Sequence, residues 1–145
     1  MARSKAEFRA IREMTGLTQA GLASELGVEV RSVKRWESPE APQVPPADAW
    51  AILDAAKARQ DEIVAFSLAK VVELEDELGE EPAEVRLPYW ASADDYGAHS
   101  TDAAAGVAGD WRMANANNRR LAAALMATGR IVEWQDGSAN PARPR

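Results

Sequence analysis

The chain has no cysteine and a single histidine, His99. The first absence removes disulfides, thiolate zinc sites and cysteine nucleophiles together. With one histidine as well, a three-ligand catalytic zinc site would depend on carboxylates. The Asp and Glu residues are spread along helical stretches with no paired arrangement, and His99 sits in an Ala-, Gly- and Ser-rich segment that reads as surface. No enzyme, metal or cofactor is expected. No apolar run is long enough to span a bilayer and no signal peptide opens the chain, so a cytoplasmic protein is expected. Aromatics are scarce, at 6% of 145 residues, yet five of them are tryptophan.

What remains is 46% apolar, enough for a packed core in one domain or two small ones. The net charge of −6 is unevenly placed: residues 1–37 hold seven Lys/Arg against five Asp/Glu, and the remainder ten against eighteen. An acidic remainder repels polyanions and orients the basic end toward them.

The most informative stretch runs from Leu17 to Glu37. Thr18 is placed to cap a helix from Gln19 to Leu26, because its hydroxyl can accept from the free N–H groups of the first turn. Leu22, Ala23 and Leu26 form its apolar face, Gly27 ends it as a C-cap, and Val28 is expected to plug the turn into the core. A second helix is predicted over Glu29 to Glu37, with Val33 and Trp36 inward. Glu29, Val30, Arg31, Lys34 and Arg35 are left facing outward. Three basic residues in five positions also occur on ordinary solvated faces. Their place on the outer face of a second, Gly-turned helix points instead to phosphates and guanine edges in a DNA major groove.

This stretch resembles the phage-repressor (Cro/C1, or Xre) class of helix-turn-helix proteins, without a gap, through Leu17, Thr18, Gln19, Leu22, Ala23, Leu26, Gly27, Val28, Ser32, Val33, Arg35, Trp36 and Glu37. The resemblance implies that Glu29, Val30, Arg31 and Arg35 read bases and that Gln19 holds a phosphate. Thr18, Ser32, Lys34 and Ser38 join it as expected phosphate contacts. It also implies a structural ion pair, here Arg12 with Glu37. Gly21 departs from the family, which carries a Glu there to complete a capping box, and a less firm start to that helix is expected.

A first helix is predicted from Lys5 to Met14, with Phe8, Ile11 and Met14 inward and Gly16 as its stop. Ser38 to Pro46, with four prolines in nine residues, is a semi-rigid loop. In the family it runs along the DNA backbone, and here Ser38, Gln43 or main-chain N–H groups would make the contact. A long helix follows, about Ala47 to Leu78, with Trp50, Leu53 and Ala56 on one stripe. It should bridge to a second domain or another chain. The acidic run Glu73, Glu75, Asp76, Glu77, Glu80 and Glu81 reads as a solvated end, with Gly79 and Pro82 as stops. Glu84 to Trp90 reads as a strand, Ser92 to Tyr96 as a short helical turn, Trp111 to Thr128 as a helix capped by Asp110 and closed by Gly129, and Arg130 to Trp134 as a second strand. The last helix should turn Trp111, Ala114, Asn118, Leu121 and Leu125 inward. The tail from Gln135 should be disordered.

The expected architecture is mainly α: a lambda-repressor-like helix-turn-helix domain at 1–58, a helical and acidic linker at 59–83, a small α+β dimerisation domain at 84–135, and a tail at 136–145. Trp90, Trp111 and Trp134 are many indoles for a fold of this size, which suggests a core completed by a partner subunit.

With both regions placed, a narrower similarity emerges to the anti-CRISPR-associated (Aca) phage regulators and YdiL-like proteins. It rests on Ala10, Ile11, Arg12, Arg31, Ser32, Trp36, Glu37 and Ser38, then on Arg86, Leu87, Tyr89, Asp95, Tyr96, Trp111 and Arg112. This implies a homodimeric repressor of its own operon that binds an inverted repeat, with a dimer interface assigned to Tyr89, Trp90, Trp111, Leu121, Leu125 and Trp134. One branch also binds its own messenger RNA. Two other functions fit the residues: an antitoxin-type protein that binds DNA and a toxin, marked by a neighbouring toxin gene, and a helix-turn-helix used only for protein contacts.

Overall fold

The computed structural model describes residues 2–80, 84–104 and 110–139. It is mainly helical, with a helix-turn-helix near the N-terminus and a small two-stranded sheet near the C-terminus. The chain divides into two compact units, Met1–Asp61 and Glu62–Arg145.

In the first unit, α1 spans Lys5–Thr15, α2 Gln19–Leu26 and α3 Val30–Glu37, and α4 begins at Ala47 and runs to Leu78. Ser4 caps α1 by accepting from the Glu7 N–H at 3.0 Å, and Thr18 caps α2 by accepting from the Gly21 N–H at 2.9 Å. The Thr18 cap therefore forms without a capping-box glutamate. Gly16 and Gly27 close these helices at φ 78° and 67°, the left-handed region where glycine carries no side-chain penalty.

Phe8, Ile11, Leu17, Leu22, Ala23, Val33, Trp36, Ala49 and Leu53 make the core. The Phe8 ring meets Trp50 edge-on at 5.0 Å and Trp36 at 6.4 Å. Two apolar residues expected inside are not. Met14 is 53% exposed, because the inward stripe of α1 is Phe8, Ile11, Arg12 and Thr15, and Met14 lies about 120° away on a helix of 3.6 residues per turn. Val28 is also exposed. Main-chain bonds hold the turn in its place, the Val28 N–H donating to Ala23 O at 3.0 Å and the Gly27 N–H to Ser24 O at 3.3 Å.

The long helix appears at its expected limits and supplies both units in turn: Ala49 and Leu53 belong to the first core, while Leu68 and Val71 pack on the second. Most of the expected linker therefore falls in the second unit. Glu75, read as part of a solvated acidic end, is largely buried and paired with Arg130 at 2.6 Å. Gly79, at φ 69°, follows the last helical residue, while Glu81 and Pro82 lie outside the described residues.

The second unit contains β1 (Val85–Tyr89), α5 (Ala93–His99), α6 (Thr101–Ala104), α7 (Trp111–Ala127) and β2 (Val132–Asp136), then a single 3-10 turn at Gly137–Ala139. β1 and β2 pair in parallel, with Val85 opposite Val132 and Leu87 opposite Trp134. Parallel neighbours need a long crossover, and the segment holding α5, α6 and α7 provides it. A two-stranded sheet is marginal alone. Here Leu87 packs with Leu121, Ala122 and Leu125 of α7. Asp110 caps α7, accepting from the Met113 N–H at 2.9 Å.

The second strand sits two residues later than expected. The Arg130 N–H still closes α7, donating to Leu125 O at 3.1 Å, so the extended ladder starts after it. Gln135 and Asp136 are consequently in the strand rather than in a disordered tail. The Ala- and Gly-rich residues 105–109 and the tail 140–145 lie outside the described residues.

α7 buries Asn115 and Ala116 where Ala114 and Trp111 were expected to lead the stripe. Asn115 works as a peg on the chain just beyond β1: its Oδ1 accepts from the Trp90 N–H at 2.7 Å and its Nδ2 donates to Trp90 O at 2.9 Å. Asn118 Nδ2 likewise donates to Pro88 O at 2.8 Å.

α5 is longer than the expected turn and opens on Ser92, which accepts from the Asp95 N–H at 3.1 Å. Asp95 in turn accepts from the Ala91 N–H at 2.9 Å and lies 3.0 Å from His99 Nδ1. Gly137 fits against this turn so closely that a Cβ there would stand 2.6 Å from Trp90 Cε3 and 2.7 Å from both Asp95 oxygens. Trp90 is 4% exposed and has little room to yield. Gly137→Ala should therefore cost about 1–3 kcal/mol through overpacking, read as a lower thermal midpoint. An unchanged midpoint would mean that the turn relaxes freely.

Candidate nucleic-acid interface

α3 is built to present one face and bury the other. Val33, Trp36 and Glu37 are buried, while Arg31, Lys34 and Arg35 are exposed. The last three stand at positions i, i+3 and i+4, so they share a stripe. Glu29 is the N-cap and makes no side-chain cap bond. Val30, expected to face base edges, is instead partly buried against the first core, which narrows the outward face to Glu29, Arg31, Lys34 and Arg35. Ser32 is half-buried.

The pairing of charges singles this face out. Arg3 donates to both Asp54 oxygens at 2.7 and 2.9 Å, and its guanidinium covers the Trp50 ring at 3.8 Å. That contact holds the Asp54 carboxyl below its ordinary range. Arg9 pairs with Glu13 at 2.8 Å, which lowers the Glu13 carboxyl in the same way. Lys57 pairs with Asp61 at 3.1 Å. Lys5 donates to three main-chain oxygens. Among the described residues of the first unit, the basic side chains left without an internal partner are Arg31, Lys34 and Arg35. A cation that no carboxylate neutralises keeps its full attraction for an external anion.

The orientation of α3 is set from beneath. Arg12 Nε donates to Glu37 Oε2 at 2.6 Å and Nη2 to Oε1 at 2.8 Å, a buried bidentate pair that locks α1 to the end of α3. The third arm, Nη1, donates to Leu17 O at 3.0 Å and ties in the segment before α2. The ion pair that the family resemblance implied is present.

The expected phosphate contacts divide. Lys34 is exposed and unpaired. Thr18 Oγ1 is used by the α2 cap. Gln19 Nε2 donates to Glu37 Oε1 at 3.3 Å, so it rests on the buried pair and would have to swing to reach a phosphate. Ser38 caps α3, its N–H donating to Lys34 O at 3.0 Å. Arg3 and Lys5 were not foreseen. Arg3 had no sequence signal beyond its charge, and the partners of Lys5 are backbone carbonyls that no side-chain pattern records.

Three of the six residues assigned to a dimer interface are spent inside the second unit. Trp90, Leu121 and Leu125 are 4%, 6% and 0% exposed, with Leu121 and Leu125 in its core and Trp90 edge-on to Tyr96 at 5.4 Å. Tyr89 and Trp134 remain exposed at 42% and 43%, edge-on to each other at 5.4 Å, and Trp111 is half-buried.

Residues 6–66 match a family model described as a helix-turn-helix domain. The match spans α1 to α3 and the first part of α4, and it supports a DNA-binding regulator of the Cro/C1 type. No curated protein matches the chain. Among the described residues, no helix is long and apolar enough to cross a membrane.

Proposed function

We propose that this protein is a sequence-specific transcriptional repressor, not an enzyme, and that it binds an inverted-repeat operator as a homodimer. The observation that carries the reading is the exposed stripe of Arg31, Lys34 and Arg35, the unpartnered cations of the first unit, on the second helix of a helix-turn-helix. Helices of this kind enter the major groove, and dimers read half-sites about 34 Å apart. The similarity to anti-CRISPR-associated regulators extends the proposal to repression of its own operon. The acidic balance of residues 38–145 opposes tight binding without sequence preference, which suits a selective regulator. Of the residues assigned to the interface, Tyr89, Trp134 and Trp111 are the ones left to meet a second copy.

Sedimentation of the protein alone and with DNA from its own promoter tests both parts. A dimer that moves stoichiometrically onto one fragment supports autoregulation, a dimer that ignores its promoter refutes it, and a monomer removes the inverted-repeat reading. On a bound fragment, Arg31→Ala should cost about 1–3 kcal/mol and relax preference at one base position, whereas Lys34→Ala should weaken all sequences alike and lower the salt slope by about 1. Unchanged affinity and preference in Arg31→Ala would remove it as a base reader.

A further inference from the structure

Lys5 opens α1 and reaches across to the far end of α3. Its ammonium donates to Arg35 O at 3.1 Å, Ser38 O at 2.7 Å and Ala41 O at 2.6 Å. An ammonium has three protons and no more, so this one is fully used. The three acceptors lie in the last turn of α3, at its C-cap and in the loop beyond. The final carbonyls of a helix have no partner within it, and a cation there also meets the negative end of the helix dipole.

The start of the loop after α3 is also held by the Ser38 N–H, which donates to Lys34 O at 3.0 Å and to Arg35 O at 3.3 Å. The Ala41 N–H donates to Ser38 O at 3.3 Å, a long bond. Pro39 and Pro42 have no N–H to give. The same Ser38 oxygen is drawn in by Lys5, as is the Ala41 oxygen, so one ammonium gathers both ends of the turn onto α1. Arg35, whose carbonyl it also holds, carries one of the three free cations of α3.

We infer that Lys5 is a positioning residue for DNA recognition: it fixes the end of α3 and the Ser38–Ala41 turn against α1, so that Arg35 and the loop meet DNA in one register. The inference rests on the DNA-binding reading of α3. It also assigns a conspicuous N-terminal cation to a role other than phosphate contact, because a phosphate would have to take protons already committed to carbonyls.

The test uses the full chain, a duplex that the parent protein selects from a randomised pool, and a scrambled duplex of equal length. Lys5→Met should bind the selected duplex about tenfold more weakly, because Arg35 and the loop are no longer held in one register. Affinity for the scrambled duplex should stay within about twofold. The dependence of affinity on salt should match the parent, whereas Lys34→Ala should lower that slope by about 0.9. In the free protein, amide exchange at Ser38 and Ala41 should speed up in Lys5→Met. Lys5→Arg, whose guanidinium can still bridge several carbonyls, should restore most of the affinity.

A slope lowered by about 0.9 in Lys5→Met would make Lys5 a phosphate contact and overturn the inference. Equal losses on both duplexes, or no loss on either, would also overturn it. A parent protein that selects no duplex at all would overturn the DNA reading itself, and that result precedes any variant.

Discussion

Arg12→Met is expected to destabilise the first unit by about 3–5 kcal/mol, the cost of leaving one member of a buried ion pair uncompensated. Glu37 is 9% exposed and keeps only the 3.3 Å contact from Gln19 once the guanidinium is gone. A unit of this size holds only about 3–9 kcal/mol in total, so the loss takes most of its margin. Urea titration read by amide exchange in peptides from residues 2–61 measures this directly. DNA binding should fall with it, since α3 loses its anchor to α1. Arg12→Met combined with Glu37→Leu should recover a large part of the stability, because a matched apolar pair leaves no buried charge. If Arg12→Met costs less than about 1 kcal/mol, the pair behaves as a solvent-screened one and does not hold the helix.

The second large effect is expected at Asn115, which is 3% exposed and satisfies both the N–H and the carbonyl of Trp90. Asn115→Leu keeps the volume roughly and removes both partners. Each orphaned buried polar group costs about 1–3 kcal/mol, so a loss of roughly 2–6 kcal/mol is expected for the two. Exchange in peptides from residues 84–104 and 110–139 should rise while that of α1 to α3 stays near parent values, because the two residues belong to a different core. A uniform rise across both units would instead show one cooperative fold, and an unchanged stability would show that water replaces the asparagine.

The helix-turn-helix was legible because its signals are local. Thr18 and Gly27 fix the ends of α2 through contacts within a few residues, and Leu22, Ala23, Val33 and Trp36 mark the inward faces by spacing alone. α4 was legible to the residue at both ends, since Pro45 and Pro46 precede it and Gly79 follows. Errors arose where the answer depends on a neighbour. Val28 was expected inside and Val30 outside, and the packing of α3 took Val30 inward and left Val28 out. Trp90, Leu121 and Leu125, expected at an interface, are buried within the second unit, because the count of indoles does not reveal that α7 and a stretch of α4 close over β1. Strand β2 was misplaced because Arg130 remains in the helix cap and pairs with Glu75, a partner fifty-five positions away.

The sequence by itself determined the helical elements, the helix-turn-helix and the basic face of its second helix, since capping, turning and helical spacing are short-range and leave their mark in the order of residues. Only the tertiary structure decided which cations are free. Arg3, Lys5, Arg9 and Arg12 carry the same charge as Arg31, Lys34 and Arg35, and along the chain a carboxylate at i+4 marks only Arg3 and Arg9. Folding brings Asp54, Glu37 and the carbonyls of Arg35, Ser38 and Ala41 to three of the first group, while Glu13 meets Arg9 one helical turn on. Electrostatic pairing depends on distance in space, and that distance is set when the helices pack.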